Sequence, residues 1–299
     1  RTGGGNQTTG RHSIYQVDAL DSSSAIYEAG GAPPGFRYSL KYLVNTAANT
    51  SDAGLFHSQF IEGQTVSDLA WGTANAKPCT LSFWVKSSVI GTYEVQVHNN
   101  AGPATILRTT YTINTANVWE YKTITIPGPT SGTWLLYSTG TGIRFDWVLN
   151  KNLTDVWNGN TNQWYVNPAT SGNIANTTSF LYTQGATMYI TGTQFEVGTV
   201  ATPFEHRPYA VELALCQRYT VMYSTYGDGS GTGSYSKFGL GYAAANNLAR
   251  ISFFLPVTMR AQPSYAGTGG ATFAVHSAAS GDSATVSSIT INPNSTNKI

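Results

Sequence analysis

Aromatic and planar polar side chains alternate with apolar ones in three strand-like segments between residues 80 and 149. A flat aromatic ring can stack on the C–H face of a sugar, and a planar polar group can form hydrogen bonds to two of its hydroxyls at once. If the three strands are neighbours, their outward residues predict a sugar-binding platform. The alternative is that loops or another subunit cover this face and that its tryptophan is a packing residue. The outward residues are Trp84, Gln96, His98, Arg144 and Asp146.

Three more aromatic residues lie in a long segment, residues 150–186, that has few strand signals: Trp157, Trp164 and Tyr165. A connection of this length inside a compact domain is usually functional or mobile. These three rings are therefore a second candidate ligand-binding set. The alternative is that they anchor the long segment onto the rest of the domain.

The sequence lacks the common catalytic and metal-binding motifs. It has no Gly-X-Ser-X-Gly, no His-Glu-X-X-His and no phosphate-binding glycine-rich motif, and its two cysteines have no metal-ligand spacing. A glycan hydrolase needs two carboxyl groups about 5–9.5 Å apart across a groove. Glu94 and Asp146 could share a face, but we interpret each as an ordinary exposed strand residue. We therefore expect no enzymatic activity.

The composition is that of a polar, nearly neutral β protein. The chain has 299 residues, of which 10% are charged, and its formal net charge is +1; ~25% charged residues is typical. A net charge this close to zero gives no electrostatic reason to expect binding to nucleic acid or to an anionic membrane. No apolar run reaches the ~18 residues of a spanning helix, so membrane insertion is not expected.

Repeated short strands with turns between them extend over residues 11–198. Regular spacing without a long helical pattern predicts an all-β fold, a jelly-roll sandwich. Residues 1–10 are rich in Gly and Thr and are predicted to be a flexible arm. Residues 66–71 are predicted to form a helical turn that closes one end of the sandwich.

A stiff connector follows the sandwich. Pro203 and Pro208 restrict the backbone to extended geometry, so residues 199–208 are predicted to be an extended strap. Residues 209–219 are good helix formers, but a helix this short needs a packing partner. The charged triplet 205–207 suggests either a functional charge relay or, as we prefer, a structural clamp. The predicted connector, strap plus helix, is residues 199–219.

Residues 220–299 form a different, smaller β region. Four strand candidates lie at residues 237–242, 249–255, 272–276 and 284–291. These strands are too few to close a domain, and an open sheet edge invites aggregation. We expect the region either to be truncated at residue 299 or to complete its core by oligomerisation.

The connector resembles a joint in tail-fibre and related virion proteins of tailed bacteriophages. There, a sequence like that of residues 194–219, from Gln-Phe-Glu-Val-Gly to Cys-Gln-Arg-Tyr, follows a sandwich like that of a carbohydrate-binding module. The similarity extends to residues 66–72, 81–86 and 119–127 upstream and to residues 253–263 downstream. Together these similar segments are spread over most of the chain between about residues 35 and 265.

The resemblance implies a fibre or spike component of the virion, assembled in the host cytoplasm. It also implies a homotrimer that contacts other virion proteins and a host-surface glycan. The alternative is a purely structural virion protein, used for capsid decoration, collar or tail bridging, that binds no receptor. Modules of this shape often carry a structural calcium ion, but no Asp-rich calcium loop is readable here, so no cofactor is assigned.

Overall fold

The computed structural model describes residues 6–9, 12–17, 23–29, 31–47, 54–150, 156–157, 159–166, 173–174, 177–221, 240–245, 248–252, 255–260, 274–276 and 283–285. The chain divides into two compact units, Arg1–His206 and Arg207–Ile299. The division falls inside the predicted connector, so most of the strap belongs to the first unit and the helix to the second.

The first unit is built from strands. In chain order they are β1 (Asn6–Thr9), β2 (His12–Val17), β3 (Ser23–Ala29), β4 (Tyr38–Val44), β5 (Gly54–Glu62), β6 (Cys79–Ser87), β7 (Gly91–Asn99), β8 (Thr105–Ile113), β9 (Glu120–Ile126), β10 (Thr141–Asn150), β11 (Val156–Trp157), β12 (Trp164–Val166), β13 (Asn173–Ile174) and β14 (Thr187–Val197). Short 3₁₀ segments lie at Gly63–Leu69 and Phe180–Tyr182.

Two antiparallel sheets form a sandwich. The seven-stranded sheet has the order β1-β2-β5-β10-β7-β8-β12, and the five-stranded sheet has the order β3-β4-β14-β6-β9. The chain crosses between the sheets repeatedly, as in a jelly roll. The predicted all-β sandwich is confirmed. Residues 6–9, within the predicted flexible arm, form strand β1 and pair with β2.

Alternate residues of the facing strands fill the core between the sheets. Phe83 from β6 and Trp147 from β10 meet edge to face with ring centroids 5.7 Å apart, and both are fully buried. Each large side chain in such a core contributes about 1.5–3 kcal/mol to stability. The apolar residues that alternate with the predicted outward set in β6, β7 and β10 point inward, and all are buried: Leu81, Phe83 and Val85; Tyr93, Val95 and Val97; Ile143, Phe145, Trp147 and Leu149.

An aromatic cluster closes one end of the sandwich. Trp71 follows the predicted helical turn, which forms as the 3₁₀ segment, and its indole Nε1 donates to the Lys77 carbonyl at 2.8 Å. Its ring packs edge to face on Trp134 and Trp164, with centroids 4.9 and 5.5 Å away. This cluster fixes the ends of several strands at once.

Residues 199–206 of the strap lie against the outer face of the five-stranded sheet. Gln194 Nε2 donates to Glu196 Oε1 at 2.9 Å and to Thr202 Oγ1 at 3.2 Å, while Gln194 Oε1 accepts from the Glu205 backbone at 2.8 Å. Glu196 in turn accepts from the Thr202 backbone at 2.9 Å. Two strand side chains thus hold the strap by its polar groups.

The charged triplet at the end of the strap makes separate contacts. The His206 ring packs on Phe36 and Phe204, with centroids 5.5 and 5.0 Å away. Arg207 pairs with Glu212 at 3.5 Å in the second unit. These contacts support the structural interpretation of the triplet over a charge relay.

The second unit contains the helix α1 (Tyr209–Gln217) and four described strands. The strands are β15 (Leu240–Ala245), β16 (Leu248–Ser252), β17 (Ala274–His276) and β18 (Ser283–Thr285), paired as two antiparallel hairpins. No residue of α1 is buried. Both cysteines are free: Cys79 is buried in the sandwich, and Cys216 is exposed on α1. Within the described part of the chain, no helix has the length and hydropathy needed to cross a membrane.

Replacing Gln194 by Ala is expected to release the strap. The change removes the hydrogen bonds to Thr202 and Glu205, each worth about 1 kcal/mol, so local opening becomes about 30-fold more frequent. Cleavage after Glu205 by a glutamate-specific protease, followed by mass spectrometry, should accelerate by that factor. Gln184→Ala is the control, because exposed Gln184 makes only a hydrogen bond to the Asn45 carbonyl at 3.3 Å. Equal cleavage rates in the two variants would contradict the role given to Gln194.

Candidate functional site

The predicted polar residues of β7 and β10 lie together on the outer face of the seven-stranded sheet. The strand register places Asp146 between Ser58 of β5 and Gln96 of β7, and Arg108 of β8 follows next to Gln96. All four are almost completely buried, with at most 4% of their surface exposed. We call this set, Ser58, Asp146, Gln96 and Arg108, the buried row.

A second row crosses the same face one pleat further along. It runs over five neighbouring strands, from Phe60 through Arg144, His98 and Ile106 to Tyr165. The side chains of Arg144 and His98 are 31% and 19% exposed, respectively. Phe60 and Tyr165, at the two ends, are half-buried, whereas Ile106 is buried, with 2% of its surface exposed. We call the five residues the open row, after its four partly exposed members.

The carboxyl group of Asp146 links the two rows. Arg144 Nε donates to its Oδ1 at 2.8 Å, His98 Nε2 lies 3.1 Å from its Oδ2, and the Ser58 hydroxyl donates to Oδ1. Burial alone would raise the pKa of Asp146, but the bond and charge of His98, the charge of Arg144 and the Ser58 hydroxyl together lower it below its ordinary value. Asp146 therefore stays ionised at neutral pH and holds the Arg144 and His98 side chains of the open row in place.

A second set of contacts supports His98 from the side of β8. Its Nε2 also lies 3.1 Å from Gln96 Oε1, and the Gln96 amide donates to the Glu94 carboxylate. Arg108 completes this hydrogen-bond network with a bidentate ion pair to Glu94, in which Nη2 is 2.8 Å from Oε2. Such bidentate pairs add geometric specificity as well as energy. The His98 ring is thus oriented through a continuous network that begins at Arg108.

The interpretation of Glu94 and Asp146 as ordinary exposed residues is wrong, since each is 1% exposed. At the Glu94 end, the chain after β12 returns over the sheet: the Ile174 backbone N–H lies 3.5 Å from Glu94 Oε2, and the Thr178 N–H donates to the Thr92 carbonyl at 2.6 Å. A carboxylate that is buried needs hydrogen-bond donors or cations to compensate for the loss of water. Both carboxyl groups therefore serve as structural anchors.

Trp84 does not belong to this site. It lies on β6, which pairs with β14 and β9 in the five-stranded sheet. The prediction of one platform that contains Trp84 is wrong, because the chain changes sheets between β6 and β7. Trp84 is half-buried on the outer face of the opposite sheet, where its ring contacts Tyr121 at a centroid distance of 5.2 Å.

The aromatic residues of the long segment have different positions. Trp164 points into the sandwich, packs on Trp71 and Trp134, and donates from Nε1 to the Pro127 carbonyl at 2.6 Å, so it anchors the segment. Tyr165, its neighbour on β12, takes the opposite face and joins the open row; its hydroxyl accepts from the Asn160 backbone at 2.7 Å. Trp157 forms the end of β11, but its side chain lies outside the described residues.

Sequence reasoning missed Ser58, Phe60 and Arg108. The signal available for the first two was the alternation Phe56-Xaa-Ser58-Xaa-Phe60 in β5, which puts these side chains on one face. Nothing local indicates that β5 lies beside β10, since residues 63–140 separate the two strands in sequence. Arg108 sits in a strand rich in Thr and apolar residues and carries no such signal.

The arrangement can hold a polar, flat-faced ligand. Within the described contacts, the Arg144 guanidinium uses only Nε, and its cation lies over the Phe60 ring at 5.6 Å from the centroid. Its two terminal nitrogens and His98 Nδ1 make no described contact, and the half-buried rings of Phe60 and Tyr165 lie at the two ends of the same row. No group of three or more His, Cys, Asp or Glu side chains in the described residues is arranged to bind a metal ion.

Comparison with known proteins identifies no family. No family model and no curated protein sequence match the chain. Among solved structures, it is similar to the family 11 carbohydrate-binding module of the cellulase Lic26A-Cel5E of Clostridium thermocellum, with 10% identity, a TM-score of 0.35 and coverage of 68% of this chain and 98% of the module.

Two further similarities are of the same kind. The enzymatically active domain of tailspike protein 4 of bacteriophage CBA120 aligns at 12% identity and a TM-score of 0.35, over 62% of this chain. The chain spans only 19% of that tailspike structure. The N-terminal cellulose-binding domain of β-1,4-glucanase C of Cellulomonas fimi aligns at 13% identity and a TM-score of 0.30, over 55% of this chain and 80% of the domain.

Replacing Asp146 by Asn is expected to destabilise the sandwich in a pH-dependent way. The lowered pKa means that ionised Asp146 stabilises the fold above its unfolded pKa of about 3.9, and that this contribution disappears as the pH falls through the folded value. We expect a loss of about 2 kcal/mol or more at pH 7, because Arg144 and His98 lose their shared anchor. The difference from the native chain should shrink below about pH 4.

Denaturant unfolding followed by tryptophan fluorescence measures this effect in the whole chain. All seven tryptophans precede residue 207, so the signal reports on the first unit alone. Asp68→Asn is the matched control, because Asp68 is 61% exposed and its pair with Lys77 is 3.7 Å long; it should change stability by less than about 0.5 kcal/mol. A destabilisation by Asp146→Asn that is the same at pH 3 and pH 7 would contradict the assignment.

Proposed function

We propose that the first unit binds a glycan along the open row and that the protein presents this site as a fibre or spike component of a phage virion. The observation that carries the proposal is the open row itself. It combines two half-buried aromatic rings with two partly exposed cationic or hydrogen-bonding side chains held by a buried network. Glycan recognition needs this combination of ring faces and planar donors.

The dimensions of the open row suit a short oligosaccharide. Five neighbouring strands are separated by four gaps of ~4.8 Å, so the row is about 19 Å long. Arg144 and His98 are held by Asp146, which reduces the conformational entropy that they lose on binding. A pre-oriented row of this length favours an extended chain of sugar rings over a single monosaccharide.

We propose that binding is not followed by hydrolysis. Hydrolysis needs two carboxyl groups that flank the scissile bond. Glu94 is engaged by Arg108, and Asp146 by Arg144, His98 and Ser58, and both are covered. These contacts support the role of both acids in holding the site together.

Placement on a virion rests on the sequence resemblance of residues 194–219. We propose a homotrimer that contacts other virion proteins, in which the strap fixes the sandwich and α1 mediates assembly. The observation that favours assembly is that none of the nine residues of α1 is buried. The same observation also supports the second candidate function, a structural virion protein that binds no receptor.

Binding of the whole chain to a glycan array and to host surface polysaccharide tests the proposed site. Arg144→Ala and Tyr165→Ala should each weaken binding, the first by about tenfold or more, because it removes charge-assisted hydrogen bonds worth about 1.5–3 kcal/mol. Tyr137→Ala is the control, since this tyrosine is 86% exposed and lies outside both rows. Tryptophan fluorescence verifies that each variant is folded.

The two candidate functions give different results. A folded chain that binds no glycan at high micromolar concentration contradicts receptor recognition and favours the structural role. Binding that survives Arg144→Ala and Tyr165→Ala unchanged contradicts the open row. Light scattering of the whole chain should give the mass of three copies of 32.0 kDa; a stable monomer would contradict the trimer.

A further inference from the structure

The outer face of the five-stranded sheet carries a second set of aromatic and charged side chains, away from the strap. The register places Tyr189 of β14 between Lys41 of β4 and Lys86 of β6. One pleat further, Trp84 of β6 lies opposite Tyr121 of β9. These residues face away from the sandwich core, so they are on the side opposite to the open row.

Two ammonium groups converge on one tyrosine ring. Lys86 Nζ lies 4.2 Å from the centroid of Tyr189 and 5.1 Å from that of Trp119, and Lys41 Nζ lies 5.5 Å from Tyr189. Trp119 is held by a hydrogen bond of 2.6 Å from its Nε1 to the Gly31 carbonyl. The rings orient the ammonium of Lys86 without neutralising its charge.

The neighbouring carboxylate does not cancel this charge. Glu120 accepts from Lys122 Nζ at 2.6 Å and from the backbone N–H groups of Asn114 and Thr115, both at 2.8 Å. Its charge is therefore compensated by Lys122 and by the turn before β9. Among the described contacts, Lys86 meets only the two aromatic rings.

A ring platform adjoins the positive charge. The rings of Trp84 and Tyr121 are 5.2 Å apart and inclined by 46°, and Tyr121 is 42% exposed. Aromatic faces beside fixed cations fit a ligand that has both an apolar C–H face and an anionic group. A sugar ring with a carboxylate has both, whereas a neutral sugar leaves the charge of Lys86 unmatched.

We propose that this face, made of Trp84, Tyr121, Trp119, Tyr189, Lys86 and Lys41, is a second glycan site that is selective for carboxylated saccharides. The carboxylate lies against the Lys86 ammonium, and the sugar ring stacks on Trp84 and Tyr121. The site is on the opposite sheet from the open row and does not depend on glycan binding there.

Affinity gel electrophoresis of the whole chain tests the proposal. The probes are polygalacturonate, alginate, hyaluronate and polysialic acid, each compared with its carboxyl-reduced form. At least one acidic polymer should retard the native chain about tenfold more strongly than its reduced form does, and the retardation should fall as salt is added. Lys86→Ala and Trp84→Ala should each weaken it, the first by about tenfold.

The controls separate this site from general charge and from the open row. Lys77→Ala removes one positive charge from a lysine that is 47% exposed and distant from the rings, and it should leave the retardation unchanged. Arg144→Ala tests whether the acidic polymer binds the open row instead, and a loss of retardation in this variant but not in Lys86→Ala would contradict the second site. The proposal is overturned if no acidic polymer retards the chain, if the reduced polymers retard it equally, or if Lys86→Ala and Lys77→Ala behave alike.

Discussion

Two carboxyl groups are buried on the outer face of the seven-stranded sheet, and the candidate site depends on this constraint. A carboxylate removed from water is costly unless it is paired and hydrogen-bonded. Asp146 meets this requirement with Arg144, His98 and Ser58, and Glu94 meets it with Arg108 and Gln96. Ser58, His98 and Arg108 come from neighbouring strands, so the compensation of charge also specifies which strands are neighbours and in which register. The orientation of the exposed groups in the open row follows from that requirement.

The outer face of the five-stranded sheet has two regions: one holds the strap, and the other carries exposed aromatic and charged side chains. Gln194 and Glu196 bind the polar groups of the strap at one end of β14, whereas Tyr189 lies between two lysines at the other. Left-handed Gly192 separates the two regions, and a side chain there would collide with the Phe36 ring, whose Cζ would be 2.5 Å from an added Cβ. The close approach of the Phe36 ring to β14 thus depends on the absence of a side chain at residue 192.

Alternation alone predicted the sandwich and its core, because inward residues of a strand must be apolar along its whole length. It also placed Gln96, His98, Arg144 and Asp146 correctly on one face. It failed for Trp84, since outward direction within a strand says nothing about which sheet the strand joins. It failed for Glu94 and Asp146 as well, because burial of an outward residue depends on what lies above the sheet. Both failures concern long-range partners, such as Arg108 for Glu94, that local sequence does not encode.

The two faces differ in how they would obtain specificity. In the open row, the charge of Arg144 is matched from below by Asp146, which also bonds to His98, so a ligand gains mainly directed hydrogen bonds and ring contacts. On the opposite sheet, the described contacts of Lys86 are those with two aromatic rings, so a ligand with an anion gains more than a neutral one. Single contacts at such partly exposed groups give weak binding, because solvent screens them. Repetition of the unit in an oligomer would raise the overall avidity by effective concentration without any new contact. The proposed trimer and the proposed glycan sites therefore support each other physically: weak, outward-facing sites are useful when several copies engage one surface.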